Sequence, residues 1–153
     1  MKILITSLQN LLLIRKNQLK ILIRLLLFRL GFNPKESISI VLTNNEVISR
    51  INNEYFGKKS PTDVISFSLP DKFDPDKISG EIVISIEEVI SNSRKYHSGS
   101  AEELMRYIIH GLLHLKGLND STSSQRVKMK KEEDLLLNFL KDKEGKLFKK
   151  IFK

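Results

Sequence analysis

Apolar and polar residues alternate along this chain with two different periods, which predicts a mixture of strands and helices. Short runs rich in β-branched residues, such as Ser37 to Thr43 and Glu81 to Ile86, are typical of strands. Longer stretches with apolar residues at helical spacing, such as about Asn10 to Leu30, are typical of helices that bury one face. The predicted order is β-α-β-α-β-β-α-α-α, with approximate bounds of 2–6, 10–30, 37–43, 46–56, 63–69, 81–86, 86–96, 100–117 and 125–140.

Capping residues and turn residues support these bounds. Asn45 is predicted to cap the second helix, and Ser100 to cap the fourth, with Glu103 completing a capping box. Polar loops are predicted at 57–61 and at 70–77. The chain has no internal repeat and no linker. The pattern therefore predicts one α/β (α+β) domain over residues 1–153, with helices packed on a single sheet of about four strands.

The composition is that of a folded protein without disulfides. Charged residues make up 29% of the 153 residues and hydrophobic residues 41%, which excludes a disordered chain. Because cysteine is absent, any metal site must use histidine, aspartate or glutamate, and the expected location is cytoplasmic. Arg24 and Arg29 interrupt the apolar run 19–33, so we expect neither a membrane span nor a signal peptide there. A helix packed on the sheet suits this run better than a helix on a membrane surface.

The net charge is +8, and the excess lies at the two ends of the chain. Residues 1–35 contain seven Lys or Arg and no acidic residue, and residues 121–153 contain ten Lys or Arg against five Asp or Glu. Such basic segments are typical of proteins that bind a polyanion, most often RNA. A solvated basic surface with no partner explains the charge equally well, so charge alone leaves both interpretations open.

Two of the three histidines, His110 and His114, are four residues apart and therefore lie on one face of the predicted helix. Gly117 can end that helix at positive φ, and Asp120 can then return to the same point, which gives the spacing H-x-x-x-H-x-x-G-x-x-D. Two imidazoles and a carboxylate are an acceptable zinc ligand set, so we predict one Zn²⁺ per chain. The alternatives are a chance pair of helical histidines and an Asp120 that caps the following helix. Peptide hydrolysis is not expected, because Gly111 stands where metalloproteases carry a catalytic glutamate.

Three segments carry a resemblance to a known family. They are His-Gly-Leu-Leu-His-Leu-Lys-Gly at 110–117, the segment 51–67 that includes Asn-Glu-Tyr-Phe-Gly, and Gly-Glu-Ile-Val-Ile-Ser at 80–85. Along the chain they follow one another in the order 51–67, 80–85 and 110–117, and in that order they resemble the YbeY family of bacterial rRNA maturation factors. The resemblance covers most of the chain after about residue 37. Two positions differ from the family pattern. The third family ligand is normally a histidine, where this chain has Asp120, and the family carries an arginine where this chain has Phe56.

The resemblance implies a zinc-dependent single-strand endoribonuclease that acts in small-subunit rRNA 3′-end maturation and in ribosome quality control. Its partners would be rRNA in the small ribosomal subunit and ribosome-associated proteins, with no membrane and no small-molecule cofactor. The alternative is a ribosome-assembly factor that binds RNA or protein and carries a structural metal. A metallohydrolase with a different substrate is a third interpretation.

The resemblance also indicates candidate substrate residues. Thr62 and Ser66 match family positions beside the metal site, where their hydroxyls could touch phosphate or make structural hydrogen bonds. Position and charge, rather than the resemblance, add three further candidates: His97 at a predicted helix end, and Arg126 and Lys128 on the last helix. The alternatives are a loop histidine and a solvated helix face. No catalytic residue is assigned, because metal-activated water, the RNA 2′-hydroxyl or an unidentified carboxylate could each serve as the general base.

Overall fold

The computed structural model describes residues 1–60, 62–70 and 78–153, so most of the predicted loop 70–77, and Pro61 of the loop before it, lie outside the described residues. Within the described part of the chain the predicted element order is confirmed. The elements are β1 (Lys2–Ser7), α1 (Lys16–Arg29), β2 (Ser37–Thr43), α2 (Asn45–Phe56), β3 (Val64–Pro70), β4 (Ile78–Ser85), α3 (Ile86–Tyr96), α4 (Ser100–Leu115) and α5 (Ser123–Phe148).

The four described strands form one mixed sheet in the order β1-β2-β4-β3. Strands β1, β2 and β4 run parallel, and β3 pairs antiparallel with β4 through the register Ser66 to Ile82. The predicted α+β class with a single sheet of about four strands is therefore confirmed. Because β3 is the last strand in this order, none of the other described strands pairs with its outer edge.

The larger apolar core lies on one face of the sheet. Alternate residues of the central strands, such as Ile40 of β2 and Ile82 of β4, point to this face and are fully buried. Helices α1, α3, α4 and α5 contribute their apolar stripes to the same cluster. Helix α4 contacts α1, α3 and α5 as well as strands β3 and β4, so its position in the molecule is fixed from several sides.

A smaller apolar cluster lies on the opposite face of the sheet, beneath α2. Ile48 of α2 is buried there with Ile65 of β3 and Val83 of β4, and Phe67 of β3 packs against them. The side chain of Ser66, between Ile65 and Phe67, points instead toward α4. The edge strand β3 therefore lies between α2 on one face and α4 on the other.

Two helix bounds differ from the predicted ones. Helix α1 begins at Lys16 rather than near Asn10, because the Gln9 side chain accepts hydrogen bonds from the N–H groups of Leu11 and Leu12 and holds a turn there. Helix α5 continues to Phe148 rather than ending near residue 140, with a non-helical residue at Glu144. The reason for the extension is packing, since Phe148 is buried in the main core.

The caps of α2 and the start of β4 also differ from the prediction. Asn44, not Asn45, caps α2 by accepting a hydrogen bond from the Val47 N–H at 3.0 Å. The Asn45 side chain instead accepts a hydrogen bond from the Ser85 hydroxyl at 2.6 Å, which ties α2 to the start of α3. Strand β4 begins at Ile78, three residues before the predicted start at Glu81, because its first residues pair with both neighbouring strands.

The predicted capping box of α4 is wrong. Gly99 occupies the N-cap position at φ +70°, and Ser100 is already inside the helix. The Glu103 carboxylate accepts a hydrogen bond from the Ser98 hydroxyl at 2.6 Å, so this glutamate holds the preceding turn rather than the helix N-terminus. Among the described residues, none of the helices is both long enough and apolar enough to cross a membrane.

Candidate metal centre

The three predicted metal ligands meet at the end of α4. His110 and His114 project from the last two turns of the helix, and their Nε2 atoms are 3.0 Å apart. The Asp120 Oδ2 atom is 3.4 Å from Nε2 of His110 and 3.3 Å from Nε2 of His114. The chain therefore brings together two imidazole nitrogens and one carboxylate oxygen, a group that could hold a metal ion.

A tight turn after α4 returns Asp120 to the histidines. Gly117 has φ +96°, a conformation that costs little without a Cβ. The Gly117 N–H donates to the His114 carbonyl at 2.9 Å, and the Leu118 N–H donates to the Leu113 carbonyl at 3.0 Å, so the turn closes on the end of the helix. The glycine at this position is thus part of how the site is built, as the spacing predicts.

Hydrogen bonds to the outer ring nitrogens orient both imidazoles. Nδ1 of His114 lies 2.8 Å from the Leu118 carbonyl oxygen, which can only accept a hydrogen bond, so this nitrogen carries the proton. Nδ1 of His110 lies 3.4 Å from Oε2 of Glu133, a carboxylate on α5. With the proton on Nδ1, each Nε2 atom carries a free lone pair, and the two lone pairs are directed at the same point. This is the tautomer that metal ligation through Nε2 requires.

Glu133 is itself held in place. Its side chain is buried, and Arg106 of α4 lies 3.9 Å from it while making a 2.9 Å ion pair with Asp134. A buried carboxylate that accepts from a ligand histidine fixes the ring orientation and raises the basicity of the ligand. The contact between Glu133 and His110 spans 23 residues and depends on how α5 packs against α4, so no local spacing pattern predicts it.

The surroundings of His110 favour positive charge. Burial lowers the pKa of His110, but the hydrogen bond to Glu133 and the negative charges of Glu133, Asp120 and Asp63 outweigh it and raise the pKa above its usual value. Two imidazole lone pairs facing each other at 3.0 Å repel unless a proton or a cation lies between them. The electrostatics of the site therefore agree with a cation at this point.

The distances fit a zinc-sized ion. Ligand atoms at about 2.0–2.1 Å from a tetrahedral zinc lie about 3.3 Å from one another. The three measured separations of 3.0, 3.3 and 3.4 Å bracket this value. The alternative that Asp120 caps the following helix is wrong, because Thr122 is the N-cap of α5 and forms a capping box with Gln125.

Thr62 and Ser66 line a cavity of 370 Å³ that also contains His114 and Asp120. The Ser66 hydroxyl donates to the Gly111 carbonyl at 3.2 Å, so it joins β3 to α4. The Thr62 hydroxyl lies 3.5 Å from an Asp63 carboxylate oxygen. The structure thus places both hydroxyls beside the candidate ligands, as predicted, and gives the Ser66 hydroxyl a structural hydrogen bond as well.

The other three predicted substrate residues lie in three different settings. Arg126 lines a second cavity of 570 Å³ that contains His110 and Asp120, but its guanidinium donates to the carbonyls of Asp120 and Ser121 at 3.3 and 2.9 Å. It therefore fastens the turn that carries Asp120. Lys128 is exposed on α5. His97 is the C-cap of α3 at φ 52° and lines a different cavity, as a histidine of a helix end would.

The fold and the site together define an α+β protein with a candidate single-metal centre at the end of a helix, an arrangement that metal-dependent hydrolases use. Comparison with known proteins narrows this class. The family described as Endoribonuclease YbeY matches residues 6–141. The chain belongs to this family, which confirms the predicted resemblance and extends it upstream of residue 37, and the predicted RNA-cleaving enzyme is confirmed at that level.

Curated relatives support the assignment. The Endoribonuclease YbeY of Chlorobium phaeobacteroides (strain DSM 266 / SMG 266 / 2430) is 42% identical over 102 residues, which cover 67% of this chain and 70% of that protein. The Endoribonuclease YbeY of Karelsulcia muelleri (strain GWSS) is 36% identical over 108 residues, or 71% of this chain and 74% of that protein. The solution structure of TM1509 from Thermotoga maritima shares the fold, with a TM-score of 0.58, 22% identity, and coverage of 94% of this chain and 95% of that one.

Proposed function

We propose that this chain is a zinc-dependent single-strand endoribonuclease that acts in 3′-end maturation of small-subunit rRNA and in ribosome quality control. The observation that carries the proposal is the convergence of His110, His114 and Asp120, with their ligand atoms 3.0 to 3.4 Å apart. Two curated relatives that match this chain are named Endoribonuclease YbeY, which supports RNA as the substrate.

Zinc is the metal that suits this ligand set best. Two neutral imidazoles and one carboxylate are borderline ligands, and three protein ligands leave a position open, as catalytic zinc sites do. A zinc ion held there supplies a Lewis acid that polarises a phosphoryl oxygen. The chain has no cysteine, so a fully closed thiolate site of the structural kind is not available to it.

The residues around the centre hold and orient the proposed ligands. Glu133 and the Leu118 carbonyl accept from the Nδ1 atoms of the two histidines, which leaves both Nε2 atoms free to bind. The cavity on the β3 side contains the hydroxyl of Thr62, which can donate to a phosphate oxygen, whereas the single hydroxyl proton of Ser66 is already donated to the Gly111 carbonyl. Lys58 lines the same cavity and places a positive charge near a bound phosphodiester.

The wider context follows from the same proposal. We infer that residues 1–153 work as one domain, since one main core joins α1, α4 and α5 to the sheet. The proposed partner is the small ribosomal subunit with its rRNA, together with ribosome-associated proteins, and the place of action is the cytoplasm, where bacterial ribosomes mature. Neither a membrane nor a small-molecule cofactor belongs to this proposal.

A second candidate function is that of a ribosome-assembly factor with a structural metal and little nuclease activity. The observation in its favour is Phe56, which stands where the family pattern carries an arginine. If that arginine is needed for cleavage, the chain would bind RNA without cutting it.

Metal content and RNA cleavage, measured together, test both functions. Purified protein is expected to contain about one zinc per chain, and His114→Ala to lose it, because two remaining ligands bind weakly. His97→Ala removes the third histidine, which is exposed and lies outside the cluster, and is the matched control, with full metal content expected. Cleavage of a single-stranded RNA that stops with a chelator and returns with zinc supports the nuclease.

The failures of this experiment are informative in different ways. Full zinc content without cleavage under any condition supports the assembly factor instead. Equal zinc content in the wild type and His114→Ala would show that these side chains do not form the metal centre.

A further inference from the structure

Three aromatic side chains cluster where α2 ends beside the edge strand β3. We call Tyr55, Phe56 and Phe67 the aromatic platform. The ring of Phe56 stacks on that of Phe67 with centroids 6.1 Å apart and 20° between the planes, and Tyr55 meets Phe67 edge-on at 5.2 Å. Phe67 anchors the platform, because it packs into the small apolar cluster beneath α2.

Two of the three aromatic side chains in the platform are largely exposed to solvent. Tyr55 is 63% exposed and Phe56 is 53% exposed, although they are neighbours in the chain. One face of the Phe56 ring lies against Phe67, so its accessible surface is the opposite face and the rim. Exposed, contiguous aromatic surface of this kind marks an interaction site more often than a gap in the core.

The platform is continuous with the candidate metal centre. Phe56 lines the same 370 Å³ cavity as His114 and Asp120, together with Thr62, Ser66 and Lys58. Strand β3 contributes Val64, Ile65 and Ser66 to the lining of this cavity. The lining of the cavity thus combines an aromatic ring, a lysine and two of the three candidate ligands. That is the combination of stacking surface, positive charge and reaction centre that a single-stranded polynucleotide requires.

We propose that the aromatic platform stacks an unpaired nucleobase of single-stranded RNA, next to the phosphodiester that lies at the metal centre. This inference rests on the proposed function and names how its substrate is recognised. An aromatic ring stacks on the face of any base, whereas a base inside a duplex has both faces covered by its neighbours. The platform therefore selects for single strands, and Phe56 supplies this contact where the family pattern carries an arginine.

The absence of tryptophan from the chain makes a direct test possible. Phe56→Trp places a single tryptophan in the platform, and Phe28→Trp is the matched control on α1, where Phe28 is 86% exposed. The proteins are held without metal, so that RNA is bound but not cut. Short single-stranded oligoadenylate is expected to quench the tryptophan at position 56 and leave the one at position 28 unchanged, because stacking on a base quenches indole fluorescence.

Affinity measurements extend the test. Phe56→Leu should weaken binding of the oligoadenylate by roughly 5- to 150-fold, the range found when a stacking aromatic ring is removed. Phe56→Tyr should retain affinity, and Phe28→Leu should change nothing. The loss caused by Phe56→Leu should vanish with an abasic oligomer of the same length. Zinc content and circular dichroism of every variant should match the wild type, because neither Phe56 nor Phe28 is one of the candidate ligands.

Each failure has a distinct meaning. Equal affinity of the wild type and Phe56→Leu for oligoadenylate, or quenching at both tryptophans, would overturn the platform while leaving a chelator-sensitive nuclease intact. The proposal would also be overturned if the aromatic platform caused the protein to self-associate and did not bind RNA. Conversely, the wild type could fail to cleave RNA under any condition while Phe56→Trp is quenched and Phe56→Leu loses affinity. That result would sustain the platform and reject the nuclease.

Discussion

At the scale of single residues, Asp120 is where this chain departs from its family's metal pattern and still completes the candidate centre. Its carboxylate lies 3.3 to 3.4 Å from both Nε2 atoms, and Thr122 rather than Asp120 caps the next helix. The structure therefore frees Asp120 from the role that would compete with ligation. The turn at Gly117 returns the chain to the end of α4, so a side chain as short as aspartate reaches both histidines.

Substitutions at Asp120 test the ligand role. Asp120→Ala removes one of three ligands, and we expect the zinc affinity to fall by at least roughly 100-fold, since changes in outer partners of metal ligands alone cost up to about that much. Asp120→His restores the usual family residue and should keep zinc bound. A neutral imidazole leaves one more unit of positive charge at the site, so RNA cleavage by Asp120→His should be retained or raised.

Zinc titration of the apo proteins measures this difference. Asn119→Ala, at the exposed neighbouring position, is the matched control and should bind zinc as the wild type does. If the wild type and Asp120→Ala bound zinc with equal affinity, the carboxylate would be ruled out as a ligand.

At the scale of elements, the centre depends on how closely α4 approaches the sheet. Gly111 lies between the two histidines, and a Cβ built there would be 2.8 Å from a methyl carbon of Ile82 and 3.0 Å from the Ser66 hydroxyl. The missing side chain lets α4 lie directly on β3 and β4, where the Gly111 carbonyl accepts the Ser66 hydrogen bond. The small residue in the motif thus sets the position of the histidine-bearing helix.

Gly111→Ala should therefore move α4 and weaken the centre. Alanine favours a helix by about 1 kcal/mol over glycine, but forcing a methyl group into this contact costs about 1–3 kcal/mol. We expect a net loss of stability on thermal unfolding and weaker zinc binding. Gly145→Ala in α5 is the matched control, because a Cβ there meets nothing within 4 Å, and it should be neutral or stabilising. A Gly111→Ala protein as stable as the wild type, with unchanged zinc affinity, would contradict the packing argument.

The sequence predicts those elements and site residues whose determinants are local. The order of strands and helices and the three candidate ligands follow from periodicity and from spacing within about ten residues of one helix end. The start of α1 does not, because the apolar spacing of residues 10–30 reveals neither the turn that the Gln9 side chain holds nor the contact of Arg15 with the Phe152 carbonyl across 137 residues. Glu133 beside His110 and Phe56 beside the candidate ligands are likewise products of packing between distant elements.

At the scale of the whole molecule, the fold joins the two basic ends of the chain. Ile14 pairs with Phe152, Arg15 donates to the carbonyls of Lys150 and Phe152, and α1 packs against α5. The basic segments 1–35 and 121–153, which the sequence presents separately, therefore lie side by side. Lys128 and Lys130 of α5 are exposed as well, and Lys130 lines the 570 Å³ cavity that contains His110 and Asp120. A polyanion at the metal centre thus meets a surface whose long-range field attracts it.

Binding of single-stranded RNA should accordingly fall steeply with salt, because neutralised phosphates release their counterions. A complex that neutralises about four phosphates of a single strand should lose roughly 50-fold in affinity between about 50 and 200 mM salt.

Lys128→Gln removes one charge of α5 and should make the slope of log affinity against log salt shallower by about 0.7. Asn138→Gln, an exposed and uncharged position of the same helix, is the control and should leave the slope unchanged. Fluorescence anisotropy of a labelled oligoadenylate with metal-free protein measures both slopes. An affinity that stays constant over this range would mean that the basic surface is only solvated, and that the aromatic platform and the metal centre hold RNA without it.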